Sequence, residues 1–123
     1  MKRRSEPMQM KINIWIENPQ GELLFGEGRL QILQAIEKHG TLSAAAEALG
    51  MSYRGLWARV RHSERRLGLS LIESHAGRGP DSGTSLTAEG RAFMERYARL
   101  LERTRAAAQR SFAEIFAKHP SVP

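Results

Sequence analysis

The sequence predicts a mainly α-helical fold with a small amount of β-structure. Three observations lead to this prediction: apolar side chains recur with the helical period in several segments, one early segment alternates as a strand does, and a glycine-rich stretch separates two short apolar runs. With 123 residues and 41% hydrophobic content, the chain can bury one ordinary core. The predicted organisation is a flexible N-terminus over residues 1–10, one domain over 11–87, a long helix over 88–118 and a flexible tail over 119–123.

The first predicted element is a β-hairpin over residues 11–25. From Lys11 to Glu17, three isoleucines alternate with residues on the opposite face, which is the two-residue period of a half-buried strand. The sequence Asn-Pro-Gln-Gly at residues 18–21 has turn chemistry. We therefore expect residues 22–25 to return as the second strand.

The next three predicted elements are helices, and a tight turn joins the last two. Thr41 and Ser52 are good N-caps for the second and third helices, while Gly40 and Gly50 are good terminators for the first and second. Only two residues separate the second helix from Ser52, and two helices joined so closely form a helix-turn-helix. The predicted bounds are 28–39, 41–49 and 52–67.

Residues 69–86 are predicted to form a wing after the third helix. Two short strands, residues 69–72 and 84–86, flank a loop rich in glycine. The loop carries one strong hydrogen-bond donor, Arg78, which can reach an adjacent minor groove or lie along phosphates. A plain hairpin loop is the structural alternative. With this wing, the predicted fold is a winged helix-turn-helix.

The last predicted helix is longer than the domain can cover. Thr87 can cap it, no proline interrupts it before Pro120, and at 1.5 Å per residue it would reach about 45 Å. Its apolar side chains recur at nearly heptad spacing and would meet water beyond the domain, so we expect a homodimer through this helix. The residues assigned to the dimer contact are Met94, Tyr97, Leu101, Ala108, Phe112 and Ile115.

The third helix carries the main indication of function. Three arginines and one alanine lie within about 40° of one another, opposite the apolar face. An α-helix fits the major groove of DNA, where arginine pairs with phosphate or with guanine. Arg59 and Arg66 lie on one flank, where phosphate contact is expected. The outward residues are Arg54, Ala58, Arg61 and Arg65, and the full set of predicted DNA contacts adds Ser52, Tyr53, Arg59, Arg66 and, from the wing, Arg78.

Three other features of the third helix each allow two interpretations. The rings of Tyr53 and Trp57 lie at the margin of the inward face, where bracing of the core is favoured over DNA contact. Gly55 is unfavourable inside a helix, and either close packing or a close approach to DNA explains it. A solvated basic surface is the alternative for the whole arginine face, and its place in a helix-turn-helix favours DNA.

The composition favours a polyanionic partner and argues against several other functions. A net charge of +6 and a pI near 10.5 suit DNA, RNA or anionic lipid. The absence of cysteine excludes disulfides, thiolate zinc sites and cysteine nucleophiles. The four histidines lack metal-ligand spacing and no serine lies in a nucleophile elbow, so we expect no enzyme, metal or cofactor. No signal peptide or membrane-length apolar run is recognisable, so a cytoplasmic protein is expected.

Three blocks of sequence carry a family resemblance. They read GTLSAAA at residues 40–46, GMSYRGLW at residues 50–57 and LTAEG at residues 86–90. From Phe25 to about Tyr97 the chain resembles the DNA-binding domain of ModE-type, molybdate-responsive regulators, and the first and last blocks also resemble LysR-type regulators. The resemblance implies a winged helix-turn-helix, a long dimerising helix and operator binding.

The chain departs from the ModE pattern in two ways. ModE-type wings often carry a longer glycine run than residues 79–83 provide, so the wing contacts are not carried over. Full-length ModE-type regulators continue into a molybdate-binding domain, and no region here resembles it. We therefore expect either a DNA-binding domain without its own sensor, or a signal that arrives through a separate sensor or effector partner or through a pocket.

The predicted function is that of a sequence-specific DNA-binding transcriptional regulator acting as a homodimer on a palindromic operator. One alternative is a nucleoid-type protein that binds DNA without sequence preference, with the same arginines meeting phosphates only. Another is a protein-interaction module that docks through the long helix.

Overall fold

The structure is a computed structural model that describes residues 7–75 and 83–117. In these residues the chain forms four helices and two antiparallel two-stranded sheets. This architecture confirms the predicted mainly α-helical fold with a small β-component. The elements are β1 (Ile16–Glu17), β2 (Leu23–Phe25), α1 (Glu27–His39), α2 (Leu42–Leu49), α3 (Tyr53–Leu67), β3 (Ile72–His75), β4 (Gly83–Leu86) and α4 (Ala88–Phe116).

The helices begin and end at the residues that favour such boundaries. The hydroxyl oxygens of Thr41, Ser52 and Thr87 accept hydrogen bonds from backbone amides in the first turns of α2, α3 and α4, at 3.0, 3.0 and 2.8 Å. Gly40 and Gly50 end α1 and α2 with φ of 78° and 67°, a left-handed conformation that glycine adopts without a Cβ penalty. These local signals place the helix-turn-helix of α2 and α3.

The core is centred on α1, which packs against α2, α3, α4 and β4. Leu33 and Ile36 of α1 and Leu56 of α3 are almost completely buried. Phe25, at the end of β2, lies edge-on to Phe93 and Tyr97 of α4, with ring centroids 4.9 and 5.0 Å apart. One hydrophobic core therefore holds all four helices and the N-terminal hairpin together.

The predicted strand from Lys11 is correct in its alternation and wrong in its pairing. Residues 12, 14 and 16 are half-buried and their neighbours are exposed, but only Ile16–Glu17 pairs with β2. The Ile14 carbonyl accepts a hydrogen bond from the Tyr97 hydroxyl, and the Met10 carbonyl accepts one at 2.9 Å from Gln109 Nε2. Side chains of α4 therefore replace a strand partner, and they also hold the end of the segment that was predicted to be flexible.

The first strand of the wing lies three residues later than predicted. Residues 69–72 were expected to form it, whereas β3 begins at Ile72 and pairs with β4 from Ile72↔Leu86 to His75↔Gly83. Leu71 is buried, and its carbonyl accepts a hydrogen bond from the Thr87 amide at 2.9 Å. A Cβ atom on Gly90 would overlap that same carbonyl, so glycine permits the first turn of α4 to pack directly on the chain before β3.

The expectation that the whole apolar stripe of α4 is left in water is wrong for its first half. Met94, Tyr97 and Leu101 are buried in the core of their own chain, with 8%, 2% and 5% of their surfaces exposed. The reason is that the N-terminal segment, β2 and α1 cover this part of the helix. Within the described residues, no helix is both long and apolar enough to span a membrane.

Candidate nucleic-acid interface

The outward face of α3 presents two arginines that have no partner among the described residues. Arg54 and Arg65 are exposed and form no hydrogen bond or ion pair within residues 7–75 and 83–117. Ala58, which lies between Arg54 and Arg61 on this face, has a short, half-buried side chain that does not keep a neighbouring surface away from the helix. This face has the shape and charge to approach a polyanion closely.

Gly55 lies close to the N-cap of α3. The Ser52 hydroxyl accepts a hydrogen bond from the Gly55 amide, and a Cβ atom on residue 55 would lie 2.9 Å from that hydroxyl oxygen. At the equivalent position of α2, Ala44 makes the same hydrogen bond to the cap Thr41 and carries a Cβ atom. Packing against the cap alone therefore does not require glycine, and a close approach to DNA stays a prediction for Gly55.

Arg61 differs from the other outward arginines because its guanidinium group is already engaged. Its Nη1 lies 2.7 Å from Glu64 Oε1, and its guanidinium carbon lies 5.3 Å from the centroid of the Trp57 ring. Tyr53 and Trp57 are 50% and 43% exposed, so the favoured interpretation that they brace the core is wrong. The Trp57 ring instead supports Arg61 at the surface.

Glu64 is a site residue that sequence reasoning missed. Only 8% of it is exposed, and its Oε2 accepts hydrogen bonds from the backbone amides of Leu71 and Ile72 at 2.8 and 3.2 Å. The same carboxylate therefore joins Arg61 on α3 to the start of β3, and it fixes the wing relative to the helix. The sequence feature that could have identified Glu64 is its position four residues after Val60, beside the apolar face of α3.

The flank of α3 that carries Arg59 and Arg66 is partly occupied by other residues of the chain. Arg66 Nη1 donates to the Leu23 carbonyl at 2.9 Å, and Arg66 Nε lies 3.8 Å from Glu22. Arg66 therefore tethers α3 to the N-terminal hairpin, which modifies its predicted role as a simple phosphate contact. Within the described residues, the one polar contact of the Arg59 side chain is a weak one of 3.7 Å with the Met51 sulfur atom.

Arg29 is a second residue that sequence reasoning missed. It lies in the first turn of α1, is half-buried, and its Nε donates to the buried Ser63 hydroxyl at 3.1 Å. Burial lowers the pKa of Arg29, and the positive charges of Arg59 and Arg66 lower it further. Three arginines from two helices therefore come together on this flank, although they are far apart in sequence.

Of the wing strands, β3 begins at the Glu64 carboxylate of α3 and β4 packs against α1. The loop between the two strands falls outside the described residues. That loop contains Arg78, so its predicted DNA contact stays a prediction. At the base of the loop, His75 Nε2 and the Ser85 hydroxyl lie 2.6 Å apart. Among residues 7–75 and 83–117, no three His, Asp or Glu side chains come together as a metal site would require.

Comparison with protein families supports the assignment that this geometry suggests. Residues 28–91, more than half of the chain, match the lysR family of bacterial regulatory helix-turn-helix proteins. The chain belongs to the lysR family. This is a family of DNA-binding transcription regulators and not a family of enzymes. The matched region begins in α1 and ends in the first turn of α4, so it contains the helix-turn-helix and both strands of the wing.

Similar proteins fall into two groups that agree with the resemblances found in the sequence. The chain is 30% identical over 69 residues to the molybdenum-pterin-binding protein MopA of Rhodobacter capsulatus and to the molybdenum transport protein ModE of Azotobacter vinelandii. Each match covers 56% of this chain and 26% of the relative, so the chain spans about a quarter of the length of these proteins.

Among solved structures, the chain is similar to CbnR, a LysR family transcriptional regulator. A CbnR_DBD–DNA complex matches with a TM-score of 0.56 and 32% identity, covering 72% of this chain and 95% of that one. Full-length CbnR complexed with its target DNA matches with a TM-score of 0.54 and 32% identity, covering 70% of this chain and 28% of that one. The lysR-type fold therefore accounts for most of the present chain.

Proposed function

We propose that the chain is a sequence-specific DNA-binding transcriptional regulator that acts as a homodimer on a palindromic operator. The observation that carries this proposal is the outward face of α3. Arg54 and Arg65 are exposed, without partners among the described residues, and are presented by the second helix of a tight helix-turn-helix. The similarity to a CbnR_DBD–DNA complex supports the same use of the fold.

The proposal gives different roles to the predicted DNA contacts. Arg54 and Arg65 contact base edges in the major groove, and Ala58 permits the helix to approach them closely. Ser52 and Tyr53, at the start of α3, contact the backbone beside the groove. Arg61 enters the interface in a fixed orientation, because Trp57 and Glu64 hold its guanidinium group. On the flanks we assign Arg59 and Arg66 to phosphates, and we assign Arg78 to DNA beyond the wing.

The proposed dimer uses the second half of α4. Ile115 is 74% exposed and Phe112 is half-buried, and both continue the stripe to which Ala108 belongs. A second copy of the same helix would remove these side chains from water. A single α3 covers too few base pairs to distinguish one operator from many competing sites. A dimer presents two copies of α3 and therefore doubles the number of base pairs that are read.

Selection of binding sites from a random pool of duplexes tests this function. We expect an inverted repeat whose half-sites lie about one helical turn apart. Arg54→Ala or Arg65→Ala should weaken binding to this motif by about 1–3 kcal/mol for each lost base contact, and should weaken binding to unrelated DNA much less. Arg91→Ala is a matched control, because Arg91 pairs with Glu37 on α1.

The same selection separates the alternative functions. Salt-sensitive binding without a motif would indicate a nucleoid-type protein, and it would contradict sequence-specific regulation. Failure to bind any duplex at low salt would indicate a module that docks on another protein. Equal losses of specific and unspecific affinity in the Arg54→Ala and Arg65→Ala variants would show that these arginines do not contact bases.

A further inference from the structure

A cavity of about 240 Å³ lies where α1, the end of α2 and the flank of α3 meet. Arg29 lines it from α1 and Arg59 lines it from α3, together with Gly28, Met51 and neighbouring side chains. No carboxylate is among the described residues that line it. The cavity therefore brings two guanidinium groups together without an acidic partner.

The two arginines that line this cavity have no carboxylate partner in the described part of the chain. Arg29 uses Nε for its hydrogen bond to Ser63, and its two Nη groups have no acceptor among the described residues. In the part of the chain that the structure describes, Arg59 has only the Met51 sulfur atom at 3.7 Å, which is a weak acceptor. Arg66 adds a third positive charge, whose nearest carboxylate, Glu22, is 3.8 Å away. Arg29 is half-buried and Arg59 is exposed beside it, so an anion bound between them would meet two like charges and offset the cost of burying the first.

Ser63 orients one of the two arginines. Ser63 is 2% exposed and its hydroxyl oxygen accepts a hydrogen bond from Arg29 Nε, so the side chain of Arg29 is held while its Nη groups stay available. A planar guanidinium group held in this way is suited to bind two oxygens of a tetrahedral anion at once. The chemistry of the cavity is therefore that of an oxyanion site, with ligands from two helices.

We propose that this cavity binds a phosphate group, with Arg29 and Arg59 as its direct ligands and Arg66 adding positive charge. The source that the geometry favours is a phosphate of the DNA backbone, because Arg59 and Arg66 lie on the flank of the helix that we assign to the major groove. For that source the inference rests on the proposed function. A free phosphate ion has the same chemistry, and the experiment distinguishes the two sources.

The first measurement is the salt dependence of DNA binding by the full chain and by Arg29→Gln and Arg59→Gln. A single lost phosphate contact should make the slope of log K against log salt concentration less steep by about one unit, on any duplex sequence. Arg99→Gln is the matched control: Arg99 is exposed on α4, has no partner among the described residues, and changes the net charge equally. Its slope should equal that of the parent.

The second measurement uses inorganic phosphate without DNA. The thermal unfolding temperature is followed as phosphate replaces chloride at constant ionic strength, in the parent, in Arg29→Gln and in Arg99→Gln. A free-phosphate site predicts a rise in the parent and in Arg99→Gln that is lost in Arg29→Gln, with unchanged DNA slopes. A backbone-phosphate site predicts the change in slope.

Two further variants separate binding from folding. Ser63→Ala removes the hydroxyl that orients Arg29 and keeps the charge, so it should give a smaller change than Arg29→Gln in the same assay. Arg59 is exposed, so Arg59→Gln should fold even if Arg29→Gln does not. If neither glutamine variant changes the slope and phosphate does not stabilise the parent, the proposal is wrong. If the parent binds no DNA, the proposed function fails, while the phosphate measurement still decides whether the cavity holds the anion.

Discussion

The two halves of α4 repeat the same apolar period, but the described part of the chain fully buries only the large apolar side chains of the first half. Met94, Tyr97 and Leu101 are buried. About three and four turns after Leu101 on the same stripe, Phe112 is half-buried and Ile115 is 74% exposed. The difference teaches that an apolar period identifies the face of a helix that requires cover, and that it does not identify what provides the cover.

The contacts of α4 with the domain become polar before they end. Arg105 forms an ion pair of 2.6 Å with Glu27 at the start of α1, and Gln109 donates to the Met10 carbonyl. Further along the same stripe, Ile115 is 74% exposed. The change from a folding contact to an available surface therefore occurs near residue 109, within one uninterrupted helix.

The largest expected effect tests the covered half. Leu101→Ala should lower the free energy of unfolding by about 2–5 kcal/mol, because it leaves a cavity in the core. Ile115→Ala removes a similar volume from an exposed position and should change the free energy by less than about 0.5 kcal/mol at the lowest protein concentration that can be measured. Denaturant unfolding of both variants checks this contrast. Similar losses in the two variants would show that the halves do not differ in cover.

The next effect tests the uncovered half. Phe112→Asp combined with Ile115→Asp should dissociate the proposed dimer, since it places charges in the contact, while the circular dichroism spectrum and the half-site affinity stay close to those of the parent. Affinity for the full palindrome should fall strongly. Analytical ultracentrifugation at micromolar concentration measures the change in mass.

A matched control adds the same number of charges to α4, but on the face away from the proposed dimer contact. Ala106→Asp combined with Ala113→Asp adds two carboxylates at exposed positions on the other side of α4. This variant should sediment as the parent does. A parent that is monomeric at micromolar concentration, or a Phe112/Ile115 variant that remains a dimer, would contradict the proposed dimer.

Local signals explain how much of the fold could be predicted from the sequence. The caps Thr41, Ser52 and Thr87 and the terminating glycines act within four residues, so the helix-turn-helix and the start of α4 are readable directly. The alternation of residues 11–17 also identifies correctly the face of the segment on which the isoleucines are half-buried. It does not show that the backbone partners are α4 side chains, because those lie more than 80 residues away.

The parts of the candidate site that escaped prediction depend on contacts between distant segments. A glutamate is expected at the surface from its residue type alone. The carboxylate of Glu64 is buried because the chain at Leu71 and Ile72 supplies it with two backbone donors. Arg29 likewise acquires its surroundings from Ser63 and Arg59 on another helix. The outward arginines of α3 could be predicted because a helical face follows from sequence spacing alone.

The smallest expected effect concerns the hydrogen bond that ties the covered half of α4 to the N-terminal segment. The Tyr97 hydroxyl donates to the Ile14 carbonyl, burial raises the pKa of Tyr97, and the nearby Glu27 carboxylate raises it further. Because the folded state holds the phenolic proton more tightly than the unfolded state, this contribution to stability is complete below the ordinary tyrosine pKa of about 10 and is lost as the pH rises through the higher pKa of the folded state. Tyr97→Phe should cost about 0.5–1.5 kcal/mol at neutral pH, for the lost hydrogen bond, and should show a smaller fall in stability above about pH 10.

Tyr53→Phe is the control, since that ring is half exposed on α3. It should leave the stability at neutral pH and the fall in stability above about pH 10 as they are in the parent. Denaturant unfolding from pH 7 to 11 measures all three proteins, and an equal alkaline loss in the parent and in Tyr97→Phe would show that this hydroxyl does not link α4 to the N-terminal segment in a proton-dependent way.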